Sequence, residues 1–216
     1  MPDKLYWQTV KPLLKETLTI LAPQELFRPF RLVGGTSLSL QLGHRMSDDI
    51  DLFTDAPYET IDFGAIDSLL RNTFGFVSDL PPGPIGMGVS YVVGKSQKDL
   101  VKLDLYYTDT FIQPVLEIGR YRLATIGEII AMKIDVVQRI ARKKDFWDLH
   151  ELLNSHSLSQ MIALHEQRYP YGHEEAVIRQ NFIEFTRADE EFNPVCLKGK
   201  HWELIKLDIV QALADK

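Results

Sequence analysis

Leu5, Val10, Leu13, Leu14, Leu18 and Leu21 recur at helical spacing, which predicts a helix from about Leu5 to Leu21, stopped by Pro23. An apolar strand through Phe30, Leu32 and Val33 then runs into Gly34 and Gly35, with Thr36 and Ser37 expected to cap a short helix, Leu38 to Leu42. Ile50 to Phe53 reads as a strand. Ile61 to Phe74 reads as a helix with Ile66, Leu69, Leu70 and Phe74 on one side. The breakers from Leu80 to Gly88 mark a loop, and their prolines forbid a dinucleotide-binding turn. Val89 to Val93 resumes as a strand able to pair with Val101 to Tyr107 across a hairpin at Gly94 to Asp99. In VKLDLYY the alternation puts Leu103 and Leu105 on one face and Lys102 and Asp104 on the other.

From Thr125 the period turns helical. Helices are expected near Ile126 to Ala141, Lys144 to Leu153, Leu158 to Gln167, Glu174 to Phe185 and Trp202 to Leu213, the first opened by a Thr125/Glu128 capping box. The expected class is therefore α+β: a mixed β-sheet core flanked by helices, residues 1–124, then a mainly helical region, residues 125–216, that completes a cleft with it. Lys133 falls inside the apolar stripe Ile126, Ile129, Ile130, Ile134 and Val137, where an ammonium either snorkels at the edge or meets an anion.

Composition narrows the function classes. The chain has 216 residues, 45% of them hydrophobic, enough for a sizeable core. No run of about 18 apolar residues is present, and the charged start MPDKLYWQTVKPLLKE is unlike a signal peptide, so no membrane association and a cytoplasmic setting are expected. The single cysteine, Cys196, excludes an intrachain disulfide framework and reads as a half-buried filler or a reactive thiol. A net charge of -6 argues against a general nucleic-acid coat. Two local basic groups are read as solvated surface or as patches: Arg139, Arg142, Lys143 and Lys144, and Lys198, Lys200, His201 and Lys206.

The chemistry concentrates in VGGTSLSLQLGHRMSDDIDLF, residues 33–53. A glycine turn that opens a helix lets phosphate approach backbone N–H groups at the positive end of the helix dipole. Asp49 and Asp51, two apart on a strand, project to one face, and Asp104 can join them from a neighbouring strand. Carboxylate oxygens suit a hard cation such as magnesium, and three of them can hold two ions near a triphosphate. Gly43 looks like a helix-ending residue, after which His44 can cap carbonyls and Arg45 offers a rigid fork for phosphate or base. Asp145 and Asp148 sit in a first helical turn, where acids favour the dipole.

These motifs resemble the polymerase-beta-type nucleotidyltransferase superfamily. More narrowly, GGTSLSLQLGHRMSDDIDLF, KLDLYY and AMKIDVVQRIARKKDFWDL resemble the nucleotidyltransferase toxins of the AbiEii/AbiGii type, over roughly Phe27 to Leu153. The resemblance implies a nucleotidyltransferase-type core in which Gly34, Gly35 and Thr36 or Ser37 meet the triphosphate. It also implies that Asp49, Asp51 and Asp104 bind magnesium and that Arg45 lies close to the nucleotide. Lys133, Lys144 and Asp145 match the later motif: a lysine facing the phosphates and a Lys-Asp pair beside the site, where Asp145 can serve as general base. Gly35 stands where many superfamily members have serine, which leaves the source of a phosphate-binding hydroxyl open.

The expected activity is a magnesium-dependent transfer of a nucleotidyl group from a nucleoside triphosphate to an acceptor hydroxyl. By analogy the acceptor is a tRNA 3′ end, and a cognate antitoxin is the implied partner of such a toxin-like protein. The competing readings are a non-catalytic nucleotide- or partner-binding module, and a transferase whose acceptor is a small molecule or a protein.

Overall fold

The computed structural model describes residues 4–80, 83 and 85–214. Pro81, Pro82 and Pro84 of the expected loop lie outside them. The helices are α1 (Pro12–Leu21), α2 (Gly34–Leu42), α3 (Phe63–Thr73), α4 (Ile126–Arg139), α5 (Lys143–Leu152), α6 (Leu158–Arg168), α7 (Glu175–Asn181), α8 (Thr186–Asp189) and α9 (Trp202–Ala214). The strands are β1 (Arg31–Leu32), β2 (Asp49–Thr54), β3 (Phe76–Val77), β4 (Gly88–Ser96), β5 (Asp99–Tyr107), β6 (Leu116–Ile118) and β7 (Tyr121–Leu123). Among the described residues the strands form one mixed sheet in the order β3-β4-β5-β2-β1-β7-β6.

Strand alternation decides what each sheet face does. On β2, Ile50 and Leu52 join the buried cluster formed with Leu14, Leu18 and Leu21 of α1 and Ile66 and Leu70 of α3. On β5, Val101, Leu103, Leu105 and Tyr107 point the same way. Asp49, Asp51, Lys102 and Asp104 are therefore turned to the opposite face. A second buried cluster gathers Val33 and Leu38 with Ile129, Ile130, Ile134 and Val137 of α4, Phe146, Trp147, Leu149 and Leu152 of α5, and Trp202, Ile205 and Ile209 of α9. Burying each such side chain contributes about 1.5–3 kcal/mol, so this cluster is a second packed core that joins α2 to the C-terminal helices.

Several expectations are corrected. The first helix begins at Pro12, not near Leu5: proline lacks an N–H and fits the first helical position, while Lys11 before it is extended (φ -66°, ψ 154°). Residues Trp7–Thr9 form a separate 3-10 turn. Helix α2 starts at Gly34, with Val33 at its cap position, so Thr36 and Ser37 lie inside it and do not cap it. The expected helix from Glu174 to Phe185 is shorter, α7 ending at Asn181, and α8 is a separate turn that starts only at Thr186. Thr125 does accept from the Glu128 N–H at 3.3 Å, but the Glu128 carboxylate is spent elsewhere, on the Gln113 N–H at 2.8 Å and on Arg168 at 2.8 Å.

Strands β3, β6 and β7 were not expected, being two or three residues long. They matter for placement. Gly119, at φ 60°, turns the β6/β7 hairpin, β7 pairs in parallel with β1 (Leu32↔Leu123), and the Ala124 N–H donates to Leu32 at 2.9 Å. Helix α4 thus starts beside the strand that feeds α2. From α6, the buried Arg168 donates to the carbonyls of Asp109 and Thr110, both at 3.1 Å, and to the Thr108 hydroxyl at 2.9 Å. Two successive backbone acceptors of the connection after β5 are thus satisfied by this one guanidinium.

Candidate active site

The cleft lies between the polar face of β2 and β5, the start of α2, and helices α4 and α5. Its volume is about 560 Å³, and Gly34, Gly35, Arg45, Ser47, Asp49, Asp51, Lys102, Asp104, Lys133, Lys144 and Asp145 line it. That size falls in the range of small-molecule sites, about 300–1,000 Å³.

The carboxylates converge because β2 and β5 run parallel in register. Asp51 is the direct partner of Asp104, and Asp49 the partner of Lys102. Burial first, then the neighbouring Asp104 and Asp49, pushes the Asp51 carboxyl up to about 6. One oxygen of Asp104, Oδ1, is buried without a partner. An all-oxygen donor set, a carboxyl raised by like charges and an orphaned buried oxygen fit a hard divalent cation. Among the described residues no three such side chains are yet gathered closely enough to enclose a metal ion. Lysines neutralise the outer carboxylates: Lys102 Nζ lies 2.5 Å from Asp104, and Lys144 Nζ 3.7 Å from Asp49.

Both glycines of the turn are required by what faces them. Gly34 has φ 66°, and a Cβ there would come within 2.5 Å of Asp51 Oδ2. A Cβ on Gly35 would lie 2.4 Å from Arg45 Nη2. The backbone at the start of α2 therefore touches both the carboxylate row and the arginine.

Thr36 and Ser37 are not brought into the cleft. The buried Thr36 hydroxyl donates to the Asp49 carbonyl and, at 2.8 Å, approaches the Ser47 hydroxyl, while Ser37 Oγ accepts from Gln41 at 3.1 Å. Ser47, which the sequence did not single out, lines the cleft instead.

Arg45 does not reach freely for a nucleotide. Its Nε and Nη2 grip the two Asp148 oxygens at 2.6 and 2.8 Å, a bidentate fork, and Nη1 donates to the Met46 carbonyl at 2.9 Å. His44 Nε2 lies 2.8 Å from the same Asp148 Oδ1. Burial lowers the His44 imidazole, outweighing Asp148, so the ring is neutral and donates its Nε2 proton. It does not cap carbonyls.

Lys133 meets anions, but they belong to the protein: Nζ is 2.7 Å from Asp145 and 2.6 Å from Asp148. Asp145 also accepts the Arg142 N–H at 3.0 Å. Burial alone would raise both aspartates; Lys133 and that N–H hold Asp145 below the usual carboxylate range, and Arg45 with Lys133 holds Asp148 well below it. Asp148, for which the helix dipole had sufficed as an account, is the fully buried hub of this network. Its signal in the sequence was the pair of large apolar neighbours, Trp147 and Leu149, on either side of it.

The basic groups separate. Arg139, Arg142 and Lys144 stand at the cleft, whereas Lys143 is buried and donates to the Glu191 carbonyl. Lys198 and Lys200 are bound to Glu151 at 2.5 and 2.6 Å, and Lys206 to Asp189 at 2.9 Å. The Cys196 thiol is half-buried, and burial, which would raise it, is outweighed by the N–H groups of Lys198 and Lys200 donating to Sγ.

Residues 17–215 match the family described as nucleotidyl transferase AbiEii toxin, type IV TA system. An uncharacterized protein of Aquifex aeolicus is 26% identical over 182 residues, covering 82% of this chain and 84% of its own length. Two solved structures share the fold. One is an H. pylori protein assigned as a nucleotidyltransferase: TM-score 0.58, 20% identity, 94% of each chain covered. The other is MenT4, a nucleotidyltransferase toxin of Mycobacterium tuberculosis: TM-score 0.58, 16% identity, covering 94% of this chain and 82% of that one. Among the described residues no helix is long and apolar enough to cross a membrane.

Proposed function

The chain belongs to the AbiEii family of nucleotidyltransferase toxins, and we propose that it moves a nucleotidyl group from a nucleoside triphosphate to a nucleic-acid hydroxyl, a tRNA 3′ end, with magnesium held by Asp49, Asp51 and Asp104. The observation that carries this reading is the register of β2 against β5, with Gly34 against Asp51: phosphate-binding backbone and carboxylates share one wall of the cleft.

Bound magnesium would neutralise the triphosphate and polarise the phosphorus under attack. The chain's own groups do the rest. The N–H groups at the start of α2 take phosphate oxygens, as the helix dipole favours. Lys144 at the rim is free enough to follow the leaving pyrophosphate. Asp145, held ionised by Lys133, is poorly suited to take a proton and instead fixes the Lys133 ammonium at the cleft wall. Arg45 acts through Asp148 and Gly35, bracing the turn rather than touching the nucleotide.

A nucleic-acid acceptor is supported by Arg139, Arg142 and Lys144 together at the opening. Phosphates of an incoming strand would meet these cations despite the net charge of -6. An antitoxin is the partner that family membership suggests.

Incubating the protein with magnesium, each labelled nucleoside triphosphate and total tRNA, beside Asp51→Ala, tests the reading. Label is expected on tRNA with the parent protein and absent with the variant. Label on protein or on a small acceptor alone would reject the tRNA assignment, and equal labelling by both would reject the site.

A further inference from the structure

On the cleft face of β2 and β5 the register sets two rungs, Asp49 beside Lys102 and Asp51 beside Asp104. Lys102 and Asp104 are two apart on β5, so both face the cleft. Lys102 Nζ stands 2.5 Å from Asp104 Oδ2, and the other oxygen of that carboxylate is buried and unpartnered. The lysine side chain is 49% exposed and the aspartate 14%, so a rim ammonium reaches down a flexible stem to a carboxylate beneath it. Lys144 has the same charge but a looser contact, 3.7 Å from Asp49, beyond hydrogen-bond reach.

We propose that Lys102 is a built-in competitor of the divalent cation: its ammonium, bound to Asp104 Oδ2, neutralises the carboxylate whose free Oδ1 the cation would take, and it must swing away for the cation to load. The inference rests on the reading of Asp49, Asp51 and Asp104 as cation ligands. A cation that must break an existing charge-assisted hydrogen bond binds more weakly by the free energy of that bond. An arriving triphosphate offers the displaced ammonium a new anion within the cleft. Nucleotide and cation therefore reinforce each other's binding, and the coupling is reciprocal. The protein alone holds the cation weakly and loads it together with nucleotide.

The test is Mn²⁺ affinity, read by calorimetry and electron paramagnetic resonance on the full chain without turnover, with and without a non-hydrolysable triphosphate. Lys102→Met is expected to bind Mn²⁺ alone about tenfold more tightly, with a correspondingly smaller gain on adding nucleotide. Lys144→Met, which removes the same charge from a lysine without that hydrogen bond, is expected to change the affinity by no more than about twofold. Unchanged affinity in Lys102→Met, or an equal gain in Lys144→Met, would overturn the inference. Asp104→Asn separates the failures. Loss of Mn²⁺ there, with Lys102→Met behaving like the parent, leaves the carboxylate site standing and rejects only the lysine's role. Parent-like Mn²⁺ binding by Asp104→Asn rejects both. Circular dichroism verifies that each variant is folded.

Discussion

Asp51 of β2 and Asp104 of β5 are direct neighbours in a parallel register, and burial, reinforced by that facing carboxylate, drives the Asp51 carboxyl from an ordinary 3.8 to about 6. Two acids placed this way destabilise the fold unless a cation joins them. Asp51→Asn is expected to lower activity by at least about a hundredfold while leaving Tm equal or higher, the outcome for a functional charge and not a structural one. Steady-state labelling and a thermal melt check it together.

The same shift gives a pH dependence with a definite sign. Between 3.8 and about 6 the folded protein keeps a proton on Asp51 that the unfolded chain has released. Protons then bind more to the folded state, so this group makes stability fall as pH rises through that window. Urea titrations without divalent cation should show the decline, Asp51→Asn should remove it, and added magnesium should oppose it. A rise in stability attributable to Asp51 over that window would contradict the account.

Asp148 predicts the opposite behaviour. Its carboxyl is depressed, so its stabilisation is present above the ordinary value of 3.8 and is lost as pH falls further. Asp148→Asn leaves Arg45 and Lys133 short of a buried counter-charge and should cost about 3–5 kcal/mol at neutral pH. Denaturant melts should show that deficit narrowing towards low pH.

Gly34→Ala should strike the site harder than the fold. A positive φ costs a non-glycine residue about 1–2 kcal/mol, and the added methyl would press on Asp51 Oδ2. The expected result is a Tm lowered by a few degrees with activity lost almost completely. Comparable losses in both would point to a purely structural role for the turn.

Arg168→Met tests the joint between helices and sheet away from the chemistry. It strands Glu128, its partner at 2.8 Å, in a fully buried position, together with the Asp109 and Thr110 carbonyls. A loss of about 3–5 kcal/mol is expected in denaturant titration, with Mn²⁺ affinity unchanged under conditions where the variant is folded.

The sequence alone determined the periodic elements and the facing of the site residues. Alternation along VKLDLYY already set Asp104 opposite Leu103 and Leu105, and the spacing of Asp49 and Asp51 already made them share a side, because side-chain direction on a strand follows from position. Long helices such as α4 and α9 were legible for the same local reason. The short β6 and β7, which set the start of α4 beside β1, were not, since two- and three-residue strands exist only through the partner they pair with. Tertiary structure also decided who answers each charge. Arg45 and Lys133 read as groups for a phosphate, yet they meet at Asp148, which lies on the helix after that of Lys133 and far from Arg45 in sequence. Burial of a charge demands a partner, but only packing chooses which one.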